Sequence, residues 1–202
     1  MARGRPAWRP MSSARRPHAT ATLPTMPTAP LPYKIACLCD LRDQDGRVLL
    51  LHRERPPNQG LFSPIGGKLE MARGESPAQC ARREIHEEAG LDIPIERLHL
   101  AGLISEAAYE GRGHWLIFLY RVIGPVRVEP QRIREGTLGW CGLDQIDALL
   151  LPDTDRRIIW PLIRAHERIS GGDGRPGFFA VHIDCTGPQM SWAVEQQDGE
   201  RR

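Results

Sequence analysis

The sequence predicts an α/β fold, an α/β/α sandwich built around a mixed β-sheet. Two alternating apolar stretches precede residue 53, a capped helix occupies residues 77–89, and further strands lead to a second helix. A chain that runs strand, helix, mixed strands, helix buries a sheet face under each helix. No internal repeat competes with that reading.

Residues 34–42 alternate, with Ile35, Cys37, Cys39 and Leu41 on one side, which is strand periodicity. Asp-Gln-Asp-Gly at 43–46 turns the chain into a second strand, Val48–His52. A polar loop, Arg53 to Gly60, and the segment Leu61–Ile65 then lead into Gly66-Gly67-Lys68. The first helix has its own punctuation. Ser76 is the N-cap, Pro77 the first helical residue, Gln79 completes a capping box, and Gly90 stops the helix. Ala78, Ala81, Ile85 and Ala89 form its core-facing side. Leu98–Ser105 and His114–Val122 read as strands around a Gly-Arg-Gly turn at 111–113, and Leu138–Gly142 as a shorter one. Asp144–Leu150 reads as a brief helix and Arg156–Ile169 as a longer one, with Ile159, Leu162 and Ile163 inward. Phe178–Ile183 and Ser191–Val194 close as a hairpin.

Length and charge bound the function. The 202 residues suffice for one domain with a real core. Residues 1–30 hold five arginines, six prolines and no acid; the remaining 27 − 5 = 22 basic residues face 25 acidic ones, a balance of −3. The domain expected over 31–202 is therefore mildly acidic, which argues against a nucleic-acid polymer as partner. The basic, proline-rich arm of residues 1–30 is expected to be disordered. Its prolines oppose the amphipathic helix of a transit peptide, and Met11 and Met26 offer alternative starts. Five scattered cysteines (37, 39, 80, 141, 185) make neither a disulfide framework nor a zinc site. With no apolar run of membrane-spanning length, the expectation is a cytoplasmic protein without a membrane partner.

The capped helix carries the chemistry. Glu84, Glu87 and Glu88 stand at i, i+3 and i+4 on one face. Like charges at that spacing repel, and a cation between them reverses the sign. An all-oxygen site suits Mg²⁺, with Mn²⁺ as a substitute, and shares its shell with substrate phosphates. Arg83, beside Glu84, can bond a carboxylate or a loop carbonyl and fix that face. Three glutamates alone would more often be an ordinary solvated helix face, so the flanking residues decide.

Those residues run Glu75, then Arg83-Glu84-Ile85-x-Glu87-Glu88-x-Gly90-Leu91, after a Gly66-Gly67-Lys68 loop. The stretch resembles the Nudix box. The box's leading glycine would fall at 69, where Leu69 stands, and the nearest glycine is Gly67; an insertion near Met71 to Arg73 accounts for the difference. The resemblance implies a Nudix hydrolase in which water attacks a phosphorus of a nucleoside diphosphate joined to a further group. It also implies that Glu84, Glu87 and Glu88 hold the divalent ions, with Arg83 among the catalytic residues. A carboxylate from a later loop is expected as a further metal ligand or as the base. Glu135 is the candidate, with Glu106 and Glu110 as competitors. Lys68, after two glycines that let backbone approach closely, can touch phosphate or brace Glu87. Arg53 and Arg55 can meet phosphate or ribose, and Glu70 reads as loop surface.

Outside the box, Asn58-Gln-Gly60, Leu143-Asp-Gln-Ile146, Leu151-Pro-Asp-Thr-Asp155 and Ile159-Trp-Pro-Leu-Ile163 resemble MutT-like oxidised-purine nucleoside triphosphatases. That similarity implies that Asp153 and Asp155 read the purine edge. Ser63 stands where such enzymes can place a base-reading asparagine. Trp160 can stack on a base, although an apolar-face tryptophan is more often core. The expected activity is Mg²⁺-dependent cleavage of nucleoside triphosphates, oxidised purines among them, to monophosphate and pyrophosphate. The alternatives are another linked nucleotide (a dinucleotide polyphosphate, a nucleotide sugar or ADP-ribose) and a non-catalytic nucleotide sensor. Oligomeric state has no signature in the sequence.

Overall fold

The structure is a computed structural model that describes residues 31–167 and 174–199. The arm expected over residues 1–30, and the end of the second helix expected to reach Ile169, lie outside the described residues. Strands β1 (Tyr33–Asp40), β2 (Val48–Arg53) and β3 (Phe62–Ser63) precede helix α1 (Pro77–Ala89). Strands β4 (Leu98–Tyr109), β5 (Gly113–Val122), β6 (Gln131–Arg132) and β7 (Gly136–Cys141) follow, then α2 (Trp160–His166), β8 (Phe179–Asp184) and β9 (Ser191–Gln197).

Among the described residues the strands form two sheets rather than one. The larger has the order β1-β5-β4-β8-β9, with β1 parallel to β5 and β4 parallel to β8, the other neighbours antiparallel. The smaller is antiparallel, in the order β3-β2-β7-β6. The two-residue strands β3 and β6 are too short for a periodicity to announce them.

Alternation along the strands sends side chains to two cores. On one face Cys37, Cys39, Leu49, Leu51 and Tyr120 pack against Cys80, Ala81, Ile85 and Ala89 of α1. On the other, Val48, Leu50, Ile104, Leu119 and Val181 pack against Ile158, Ile159, Trp160 and Ile163. The layered α/β/α arrangement follows. Asp40, Arg42, Arg121 and Glu167 form a largely buried ionic cluster, with Arg121 bonded to both acids at 2.6 Å. It ties β1 and β5 to the end of α2.

The start of the second helix departs from a plain α-helix. Residues Asp155–Ile159 form one π-turn ahead of α2, and the brief helix expected over Asp144–Leu150 is a single 3₁₀ turn at Ile146–Ala148. All five cysteines are free thiols.

Candidate active site

The loop before α1 is seated by backbone bonds to β1. Cys37 N–H donates to Gly67 O and Cys39 N–H to Ile65 O, each at 2.8 Å, and Leu69 N–H donates to Ile35 O at 3.0 Å. Gly66 takes φ 144°, and a Cβ on it would overlap the Cys37 carbonyl oxygen. A Cβ on Gly67 would overlap the carboxylate of Glu84. Both glycines are there because backbone and carboxylate share that space.

Helix α1 has the caps its sequence calls for: Ser76 and Gln79 bond reciprocally, Pro77 opens the helix, and Gly90 closes it at φ 69°. This fixes the rotation that aims Glu84, Glu87 and Glu88 at the loop. Glu88 is buried, and its Oε2 accepts from Gly66 N–H at 2.8 Å. Burial pushes its pKa up to about 7, against the pull of that N–H, with Glu84 and Glu135 adding repulsion. Burial also raises Glu84, partly offset by its bond to Arg83.

Arg83 stands behind this face. Its guanidinium donates to both oxygens of Glu75 at 2.8 and 3.0 Å, to Glu84 Oε1 at 2.7 Å, to Glu87 Oε2 at 3.3 Å and to Lys68 O at 3.0 Å. The bonds from Arg83 hold Glu75 below the usual carboxylate range. Glu75 also accepts from Glu70 N–H, so the exposed 3₁₀ turn Met71–Arg73 is anchored on both sides.

A cavity of about 580 Å³, within the range of small-molecule sites, opens beside these groups. It brings together Glu84, Glu87, Glu88 and Glu135, the loop residues Ser63, Gly66, Gly67 and Lys68, and Arg53 and Asp155. Arg53 donates its Nε–H to Pro57 O at 2.7 Å, and Lys68 Nζ lies 6.0 Å from the Trp115 ring centroid. Four candidates fall elsewhere, the first being Arg55, which does not line the cavity. Asp153 is exposed and does not line the cavity. The chain is already helical at 153, and helical residues two apart do not face the same way, so Asp155 turns inward and Asp153 outward. Glu110 sits at the β4–β5 turn near Arg112. Trp160 is a core residue, 1 % exposed, and not a stacking surface.

The cavity also holds residues that the sequence did not single out: Tyr109, Trp115, Arg134 and Thr154. Tyr109 O–H donates to Asn58 Oδ1 at 2.9 Å and spans two loops. It reaches there because β4 shifts register between Glu106 and Tyr109, with Ala108 at φ 53°. No glycine or proline marks that bulge.

Family matching settles the class. The sequence profile of the NUDIX domain matches residues 32–164. The chain belongs to the NUDIX domain family. A MutT protein from Bacillus halodurans superposes with a TM-score of 0.57 at 24% identity, covering 80% of this chain and 97% of its own, and shares the Nudix fold. An octanoyltransferase of Myxococcus xanthus is 48% identical over 54 residues, 27% of this chain and 14% of that protein. An ADP-ribose pyrophosphatase of Methanocaldococcus jannaschii is 34% identical over 84 residues, 41% of this chain and 47% of that protein. The chain thus spans less than half the length of these curated relatives.

The donor set fits a hard cation. Glu84, Glu87, Glu88 and Glu135 supply only oxygen, and among the described residues no arginine or lysine is bonded to the buried Glu88. Among the described residues no three such side chains are already grouped as a metal site; Arg83 draws Glu84 and Glu87 to itself.

Proposed function

We propose that this Nudix chain is a pyrophosphohydrolase that cleaves nucleoside triphosphates to a nucleoside monophosphate and pyrophosphate. The observation that carries the reading is one cavity lined by four carboxylates, Glu84, Glu87, Glu88 and Glu135, together with Arg53 and Lys68. Acids and bases meeting in one cavity suit a polyanionic substrate bound with a divalent cation. Those carboxylates would hold Mg²⁺, or Mn²⁺ in its place, and the ion would neutralise charge on the diphosphate oxygens.

The protein's own groups do the rest. Arg53 and Lys68 face the phosphates, and Arg83 keeps Glu84 and Glu87 in place from behind. Water forms a new bond to the α-phosphorus as the bond to the bridging oxygen breaks; the water proton passes to a carboxylate, and pyrophosphate leaves. The name of the M. jannaschii relative favours a second substrate, ADP-ribose, for the same chemistry.

The test is product analysis with Mg²⁺ over canonical and oxidised nucleoside triphosphates, dinucleotide polyphosphates, nucleotide sugars and ADP-ribose. Pyrophosphate release from triphosphates, lowered at least ~10²-fold by Glu87→Gln, is the expected result. Turnover of linked nucleotides alone would replace the triphosphate reading, and no turnover at all would overturn both.

A further inference from the structure

The cavity carries a second pair of acids that the diphosphate chemistry does not use. Glu106 and Asp155 both line it, at only 4 % and 8 % exposure. They come from different elements: Glu106 from β4, on the same face as Ile104, and Asp155 from the π-turn before α2. The Thr154 hydroxyl donates to Asp155 Oδ1 at 3.5 Å and lies near Glu106.

This pair is separate from the α1 carboxylates. The acids that act on Glu88 are Glu84 and Glu135, while the acid that acts on Asp155 is Glu106. Nor does either member have a cation: among the described residues no arginine, lysine or histidine forms an ion pair with Glu106 or Asp155. The titratable groups that act with them are Tyr109 at the end of β4 and Cys185 after β8, neither of them positive. Two ionised carboxylates cannot be buried side by side without such a partner. Burial pushes each up to about 7, and repulsion from Glu106 adds to the rise at Asp155. Near neutral pH each carboxyl is thus divided between its protonated and ionised forms.

Two buried carboxyls lining one cavity offer more acceptor oxygens than O–H donors. Their complement is a ligand edge rich in N–H. Tyr109 does not supply it, since its O–H is already given to Asn58.

We propose that Glu106, paired with Asp155, is the specificity-determining residue of the cavity and reads the exocyclic amino group of a nucleobase. The proposal rests on the nucleotide reading above. It gives to Glu106, from another strand, the part that the sequence offered to Asp153. A base lacking the amino group leaves a buried acceptor unpaired, and sites built on N–H recognition reject such analogues.

Equilibrium binding of nucleoside monophosphates to the full-length protein with Mg²⁺ tests this without requiring turnover. The matched pairs are GMP and IMP, AMP and IMP, and CMP and UMP. In at least one pair the amino-bearing member is expected to bind at least ~10-fold more tightly to the wild type. Glu106→Met should bring that ratio within about three-fold. Glu106→Gln, which keeps volume and hydrogen bonding, guards against a folding defect. Its ratio should change less between pH 6 and pH 8 than the wild-type ratio, which rises with pH as Glu106 ionises. Equal affinity within every pair in the wild type, or a ratio untouched by both variants, overturns the proposal. Turnover separates the two readings: hydrolysis with no base preference keeps the reaction and removes Glu106's role, and base discrimination without hydrolysis does the reverse.

Discussion

Glu88, Glu106 and Asp155 are buried acids whose pKa values all stand near 7 because burial disfavours the charged form. A folded-state pKa raised above the unfolded value has a definite consequence for stability. The contribution is fully present below the unfolded pKa and is lost as pH rises through the folded one. Asp40 and Glu75, held low by arginines, are ionised throughout this window and add no slope. Urea unfolding in the presence of a chelator should thus show stability falling between pH 5 and pH 8, by roughly 2 kcal/mol for each of these acids. Glu106→Gln, neutral at both ends, should flatten the fall; a slope of the opposite sign would contradict the assignment. The α1 glutamates were legible in the sequence because one helix fixes their spacing. The meeting of Glu106 with Asp155 in one cavity was not, because it joins residues from separate elements.

At the level of elements, the loop Gly66-Gly67-Lys68 and helix α1 work as one unit, with Arg83 bonded to both. The loop's shape depends on Gly67, where any side chain would intrude on the carboxylate of Glu84. Gly67→Ala is expected to leave the far-ultraviolet circular dichroism unchanged while lowering turnover about 10²-fold, since misplacing a reacting group by about an ångström costs that much. A Mg²⁺ titration should show a raised half-saturation for the same variant; unchanged turnover and metal dependence would mean that Glu84 has no part in the chemistry. Caps, breaker residues and the apolar stripe announced α1 residue by residue, because each is a local signal. The π-turn at Asp155–Ile159 carries no such signal.

Over the whole molecule, the sheets separate two cores, one under α1 and one under α2. Ile85 and Ile163 lie in different cores, 0 % and 4 % exposed. Ile85→Ala and Ile163→Ala should each cost ~2–5 kcal/mol, and the double variant should lose close to the sum, read from urea unfolding. Clear non-additivity would show that the layers are coupled. The layer order was legible from the alternation of strands and helices, whereas the division into two sheets rests on β2 pairing with β7 and not with β1, a long-range choice that alternation along a strand does not specify. The larger sheet ends differently on its two sides. Among the described residues no strand pairs with the outer edge of β9, and Trp192 and Val194 are exposed there. Strand β1 is sealed, because the loop that supports the carboxylates occupies its outer backbone groups. That loop therefore also guards against strand-to-strand aggregation, and selection for solubility and selection for chemistry act on the same glycines.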